Sequence, residues 1–225
     1  MNIEVFHFGP LRAACMVLWA KGPDCFVVDA CFYAPGEKES LYGFLKEKGL
    51  KPAAILLTHT HFDHIHGVEE CSRDFGGLTV YYSEADRGIL ADREKNCRFL
   101  GLRVPGVDFP VHYVQDGEQI SIPGLTLEVL ATPGHTPGCV CYLDREGKIL
   151  ISGDTLFAGT IGRTDLGGGD YDLLMDSIQR KILPLDGDIE VYPGHGPSTS
   201  IGVERRSNPF LQPFNSPDGD DEAFL

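Results

Sequence analysis

The segment Thr58-His59-Thr60-His61-Phe62-Asp63-His64 follows directly on the apolar run 53–57, and it constrains the fold more than any other stretch of the chain. A short continuous apolar run reads as a buried strand, so the histidines stand where that strand leaves its sheet. Side chains two apart in an extended segment point the same way, which lets His59 and His61 converge on one centre. Asp63 and His64 fall in the turn beyond, where they point elsewhere and can serve a second. Imidazole nitrogen and carboxylate oxygen are the ligand types of Zn²⁺, and also of Fe or Mn in less selective sites. Packed together without a cation, three imidazoles and a carboxylate would leave several buried polar groups unpaired, which disfavours a purely structural reading of the cluster.

Three other segments share a placement at the end of an apolar strand, just before a Gly/Pro turn: Thr132-Pro133-Gly134-His135-Thr136-Pro137-Gly138, Ser152-Gly153-Asp154-Thr155 and Tyr192-Pro193-Gly194-His195-Gly196. Gly and Pro supply the tight turns and the close backbone approach that a ligand loop needs. Alone each is a common turn. Beside the first cluster, His135, Asp154 and His195 complete a ligand set.

The remaining pattern predicts the architecture. Residues 3–8, 14–20 and 25–30 read as strands of an antiparallel sheet, the last two parted by Lys21-Gly22-Pro23-Asp24. Residues 37–49 carry a helical period closed by Gly49, and 68–75 and 84–100 read as further helices. Strands are expected at 79–82, 111–114, 125–131, 139–143, 149–152 and 190–192, with a helix over 171–183 that puts Leu173, Leu174, Ile178 and Ile182 on one face. This order predicts an α/β protein of two facing mixed β-sheets with helices outside, one sheet from each half of the chain. Residues 1–212 are expected to form one domain, followed by an acidic, turn-rich tail over 213–225.

Charge and cysteine content narrow the partners. With 33 acidic and 19 basic side chains the net charge is −14, which repels a phosphate backbone, so no nucleic-acid partner is expected. Seven cysteines, an odd number with no CxxC pair, read as reduced core thiols of a cytoplasmic protein. The opening residues alternate like a strand and show no basic region followed by an apolar one, so no export signal is expected; the run 13–20 is too short to span a bilayer. The expected partner is a small molecule, and the sequence does not indicate an oligomeric state.

The pattern HxHxDH over His59 to His64 resembles the signature of the metallo-β-lactamase-fold superfamily, and the likeness runs from the first strand to about Phe210. The stretches Ser152-Gly153-Asp154-Thr155-Leu156-Phe157, Gly162-Arg163-Thr164-Asp165 and Tyr192-Pro193-Gly194-His195-Gly196-Pro197 are similar to its glyoxalase II-like branch of hydroxyacylglutathione hydrolases. That resemblance implies an αβ/βα sandwich and two divalent metal ions. One ion would take His59, His61 and His135, the other Asp63, His64 and His195, with Asp154 bridging; Zn is the first expectation, Fe and Mn the others. It implies hydrolysis of a small thioester or related ester by a hydroxide between the ions, which metal ligation generates by lowering the pKa of water from about 15.7 toward roughly 7. Asp63 would also orient the nucleophile or relay its proton. Asp29 is implied to support a metal-binding histidine from behind, with a plain turn aspartate as the alternative. Arg163 stands where such enzymes carry a basic residue for a glutathione carboxylate, with a structural salt bridge as the alternative. His66, where the family has a small residue, is read as a helix cap and not a ligand. A single-iron persulfide dioxygenase, a lactonase and a non-catalytic binding module of the same fold are the competing functions.

Overall fold

Two sheets of six strands each carry the structure. The computed structural model describes residues 1–214, so the expected acidic tail lies, from residue 215 on, outside the described residues. In the first sheet β1 (Asn2–Phe8), β2 (Ala13–Trp19) and β3 (Asp24–Val28) are antiparallel neighbours. From β3 the pairing turns parallel, through β4 (Lys51–Leu56) and β5 (Val80–Tyr82) to β6 (Val111–Tyr113). Parallel neighbours need crossovers, supplied by α1 (Pro35–Lys48), then α2 (Phe62–Ile65) with α3 (Val68–Asp74), then α4 (Arg87–Leu100). The second sheet begins as an antiparallel meander of β7 (Gln119–Ile122), β8 (Leu125–Ala131), β9 (Val140–Asp144) and β10 (Ile149–Gly153). A small hairpin, β11 (Leu156–Phe157) and β12 (Thr160–Ile161), and α5 (Tyr171–Ser177) come next. Then β13 (Glu190–Pro193) pairs in parallel with β10, β14 (Thr199–Ser200) forms the edge, and α6 (Ile201–Ser207) follows.

Strand alternation sorts the apolar side chains into three cores. Met16, Leu18, Phe26, Val28 and Leu56 of the first sheet meet Leu127, Val129, Tyr142 and Ile151 of the second, which makes the central layer. The opposite side chains of the same strands, Cys15, Val17, Val27 and Ile55, pack under Leu41 and Leu45 of α1 and Val68 and Cys71 of α3. On the far side, Cys141, Leu143, Leu150 and Val191 lie under Leu174, Ile178, Ile182 and Ile201. The four-layer sandwich expected from the strand order is what forms. All seven cysteines are buried and free. No helix among the described residues is long and apolar enough to cross a membrane.

Local chemistry explains the helix ends. Ala34 precedes α1 and has no capping side chain; the Glu37 carboxylate takes that role, accepting the N–H groups of Ala34 at 3.0 Å, Tyr33 at 2.7 Å and Gly9 at 2.9 Å. Pro35 opens the helix and Gly49, at φ 67°, closes it.

Several elements differ from the sequence reading. The helix expected over 84–100 is a 3-10 turn, Glu84–Asp86, leading into α4. The helix expected over 171–183 divides into α5 and a π-helical turn, Ile178–Ile182. Leu174, Ile178 and Ile182 keep the buried line at a spacing of four, whereas Leu173, one position ahead, is 40% exposed. The strands β7, β11, β12 and β14 and the helix α6 were not anticipated; most are two to four residues long, too short for periodicity to register.

Candidate metal centre

Both sheets deliver their ligand-type residues to one end. Past β4, the Leu57 carbonyl accepts the Tyr142 hydroxyl at 2.8 Å, and the Thr58 carbonyl accepts the Val140 N–H at 2.9 Å. His59 therefore emerges where the first sheet is bonded to the second. His61 precedes the one-turn helix α2, which turns Asp63 and His64 inward, and His64 is fully buried. His135 follows β8, Asp154 follows β10 and His195 follows β13. Gly194 donates its N–H to the Gly153 carbonyl at 2.8 Å and accepts the Ala14 N–H at 2.7 Å, fixing the last loop to β2 as well.

The seven expected residues come together as overlapping sets: His59, His61 and His135; His59, His64 and Asp154; and Asp63, His64 and His195, with the ligand atoms of each set within 4.8 Å of one another. Asp154 spans the middle, with Oδ2 3.4 Å from His135 Nε2 and 3.8 Å from His195 Nε2, and Oδ1 3.6 Å from His64 Nε2.

Hydrogen bonds outside the cluster set the tautomers. A carbonyl or carboxylate can only accept, so each imidazole nitrogen facing one carries the proton. His135 Nδ1 donates to the Arg163 carbonyl at 2.7 Å, His195 Nδ1 to the Leu11 carbonyl at 3.1 Å and His64 Nδ1 to Asp29 Oδ2 at 2.9 Å. The Thr58 hydroxyl donates to Asp29 Oδ2 at 2.7 Å, so His59 Nδ1 donates to the Thr58 oxygen at 3.1 Å. In the neutral rings the Nε2 atoms of His59, His64, His135 and His195 are thereby bare lone pairs. His135 Nε2 lies 2.9 Å from His61 Nδ1, and His64 Nε2 lies 3.3 Å from His195 Nε2. No hydrogen bond among the described residues outside the cluster fixes the His61 tautomer, and each of these two gaps takes either a proton or a metal cation between its nitrogens. Among the described residues, buried His59 Nε2 and Asp154 Oδ1 have no hydrogen-bond partner. The donors present thus fit two divalent cations.

The family model of the metallo-beta-lactamase superfamily matches residues 8–197. The chain belongs to the metallo-beta-lactamase superfamily. Among its superfamily relatives, hydroxyacylglutathione hydrolase GloC of Haemophilus influenzae is 36% identical over 214 residues, covering 94% of this chain and 98% of that protein. A solved structure of the BLEG-1 B3 metallo-beta-lactamase superposes with a TM-score of 0.85 at 38% identity, covering 93% of this chain and 99% of that one. TTHA1623, solved in a di-iron-bound form, superposes at 0.82 with 36% identity over 92% of this chain and 100% of its own. The relatives of this chain include metallo-hydrolases, among them the probable metallo-hydrolase YqgX of Bacillus subtilis, 38% identical over 208 residues.

Within this superfamily member the cluster's electrostatics are those of a cation site. Burial and the neighbouring imidazoles depress the His59 pKa, and burial with His135 brings His61 down to about 3, so both rings are neutral at pH 7. Burial would depress His64 too, but Asp63, Asp154 and Asp29 override it and lift it to about 10. Asp63, despite its burial, is held well below the usual carboxylate range by His64 and His195.

The other residues singled out in the sequence stand around this cluster. Asp29 stands behind His64 and, through Thr58, behind His59. The Arg163 guanidinium pairs with Asp165 at 2.7 and 2.8 Å on the surface, while its carbonyl holds His135. His66 caps α2, donates to the Arg103 carbonyl at 2.9 Å and joins none of the ligand sets. Four supports were not anticipated: the Thr58 hydroxyl, the main-chain carbonyls of Leu11 and Arg163, and the buried carboxylate of Asp86. Carbonyls leave no trace in a sequence, and Asp86 reads as the first turn of a charged helix.

Proposed function

We propose that this chain holds two divalent cations, Zn²⁺ foremost, on the seven clustered side chains, and that it hydrolyses a small thioester of the hydroxyacylglutathione type. The observation that carries this reading is the pair of close nitrogen contacts, His61 with His135 at 2.9 Å and His64 with His195 at 3.3 Å, with Asp154 between them. The 36% identity to a hydroxyacylglutathione hydrolase over 94% of the chain supports the substrate class. The match to a chain solved with two irons supports the nuclearity and keeps Fe as an alternative to Zn.

Bound there, divalent cations supply Lewis acidity, lowering the pKa of water from about 15.7 toward roughly 7 and polarising a carbonyl oxygen. The chain's own groups do the rest. His59, His61 and His135 would hold one cation and Asp63, His64 and His195 the other, with Asp154 between the two sets. Asp63, ionised and 3.3 Å from His195, orients the attacking water as a hydrogen-bond acceptor. Asp29 fixes His64, and the carbonyls of Arg163 and Leu11 fix His135 and His195, so the donors need no rearrangement during turnover. The Arg163 side chain, 61% exposed, is free to exchange Asp165 for a substrate carboxylate. Residues 1–212 act as one domain in this reading.

The test is elemental analysis of the purified protein, coupled to a panel of glutathione, coenzyme A and other low-molecular-weight thioesters. Two ions per chain and oxygen-independent thioester turnover, abolished in Asp63→Ala, are expected. A metal-free active chain, or turnover unchanged in Asp63→Ala, overturns the reading; one iron with oxygen uptake replaces it with persulfide oxidation. The 38% identity to a B3 metallo-beta-lactamase favours a second reading, β-lactam hydrolysis, which a chromogenic cephalosporin in the same panel decides.

A further inference from the structure

We infer that Asp86 is a positioning residue for one half of the centre, the half formed by His59, His61 and His135, holding both of its loops to a single buried carboxylate. The inference rests on the two-ion reading above.

Asp86 ends the 3-10 turn between β5 and α4 and is fully buried. Its Oδ2 accepts the Thr60 N–H at 2.8 Å, its Oδ1 accepts the Gly138 N–H at 2.7 Å, and its own carbonyl accepts the Thr60 hydroxyl at 3.0 Å. Thr60 is the residue between His59 and His61, and Gly138 ends the tight turn that begins at His135. The carboxylate thus bonds to two loops lying 26 and 52 residues away in the chain. Among the described residues no other carboxylate is bonded to both loops. Clearance is tight: a Cβ on Gly138 would stand 2.6 Å from Asp86 Oδ1, so only glycine admits the contact.

The second half is held by other groups. His64 rests on Asp29, His195 on the Leu11 carbonyl, and Asp63 on His195; none of them touches Asp86. Two N–H groups pointing at one carboxylate from opposite sides set the spacing between the His59-to-His61 segment and His135. In a water-free setting such charge-assisted bonds are stiff. An asparagine could accept only on its carbonyl side and would turn its NH₂ toward the other N–H. Substitution should loosen one triad and spare the other.

The experiment measures Zn²⁺ affinity by competition with a chromophoric chelator, in full-length chains that keep one half of the centre each. With Asp63→Ala, which leaves the His59–His61–His135 half, adding Asp86→Asn is expected to weaken Zn²⁺ binding about tenfold or more, the usual cost of removing such a support. With His61→Ala, which leaves the Asp63–His64–His195 half, the same change is expected to shift it by less than about threefold. Asp144→Asn is the control for lost stability, since Asp144 is also buried and accepts the Gly147 N–H at 2.9 Å at the far end of β9; it should leave both affinities unchanged. Should Asp86→Asn yield no folded protein, Thr60→Val removes only the hydroxyl contacts with the Asp86 carbonyl and Oδ2, at 3.0 and 3.4 Å, and should weaken the same half by a smaller factor. Equal weakening in both backgrounds, none in the Asp63→Ala background, or the same loss from Asp144→Asn overturns the assignment. A wild-type chain that takes up no Zn²⁺, Fe²⁺ or Mn²⁺ overturns the two-ion reading itself, an outcome visible before any Asp86 variant is made.

Discussion

Asp29 Oδ2 lies 2.9 Å from His64 Nδ1 and 2.7 Å from the Thr58 hydroxyl, so one carboxylate oxygen fixes histidines on both halves of the centre. Asp29 sits at φ 48°, a left-handed conformation that asparagine tolerates and most residues do not. Asp29→Asn therefore isolates the charge. In either orientation its NH₂ would face a donor, the Nδ1–H of His64 or the N–H of Thr58, and metal affinity should fall about 10- to 100-fold. Both halves should weaken, in contrast to Asp86→Asn; chelator competition in the single-half backgrounds measures it.

Gly194 has no room for a side chain. A Cβ there would stand 2.2 Å from Asp154 Oδ1 and 2.8 Å from His64 Cε1. Gly194→Ala should displace Asp154 or the His195 loop by a large fraction of an ångström and lower kcat about 100-fold. Far-UV circular dichroism should stay unchanged, because the β10–β13 pairing of Ile149, Leu150 and Ile151 with Glu190, Val191 and Tyr192 lies before that loop.

Glu37 contributes to stability and not to chemistry. Its carboxylate satisfies three N–H groups, so Glu37→Ala should cost about 1 to 2 kcal/mol, a Tm fall of about 2 to 8 °C. Burial pushes its pKa up, but the N–H groups of Ala34, Tyr33 and Gly9 outweigh that and bring it below the ordinary glutamate value. A depressed folded-state pKa means the contribution is present above the unfolded value of about 4.3 and is lost as pH falls below it. The gap in Tm between wild type and Glu37→Ala should narrow on acidification.

Burial raises the thiols in the opposite sense. It pushes Cys25 up to about 12 and Cys141 to about 11, against about 8.5 for a free thiol. The folded state binds these protons more tightly than the unfolded one. Their contribution is therefore complete below about pH 8.5 and is lost as pH rises toward the folded-state values, so Tm should decline steadily through that alkaline range. At about pH 8 none of the seven thiols should react with Ellman's reagent in the native protein, and all should react in denaturant.

The fold was readable because its strands carry the pattern that burial demands. Ala53 to Leu57 and the alternation of Met16 and Leu18 against Cys15 and Val17 announce which faces are covered, and the two sheets follow. The ligand-type residues were readable because their side chains do the work and because each stands beside a strand end. What escaped were groups with no side-chain signal, the carbonyls of Leu11 and Arg163, and groups whose partners are remote in sequence. Thr58 looks like the last polar residue of a strand until Asp29 is beside it. Asp86 looks like one more charge on α4, and only the folded chain shows it buried between Thr60 and Gly138. The split of residues 171–183 into α5 and a π-helical turn was hidden because both share the same buried line.

The ligand-type residues are divided between the halves of the chain, and this sets an order for biosynthesis. The first sheet is complete at Tyr113, whereas His135, Asp154 and His195 leave the ribosome later. Until β8, β9 and β10 emerge, Met16, Leu18, Phe26, Val28 and Leu56 present a bare apolar sheet to solvent or to a chaperone. No cation could recruit the complete donor set during that interval, so the nascent half must survive on the packing of its own helices, and full metal loading would fall to the finished polypeptide.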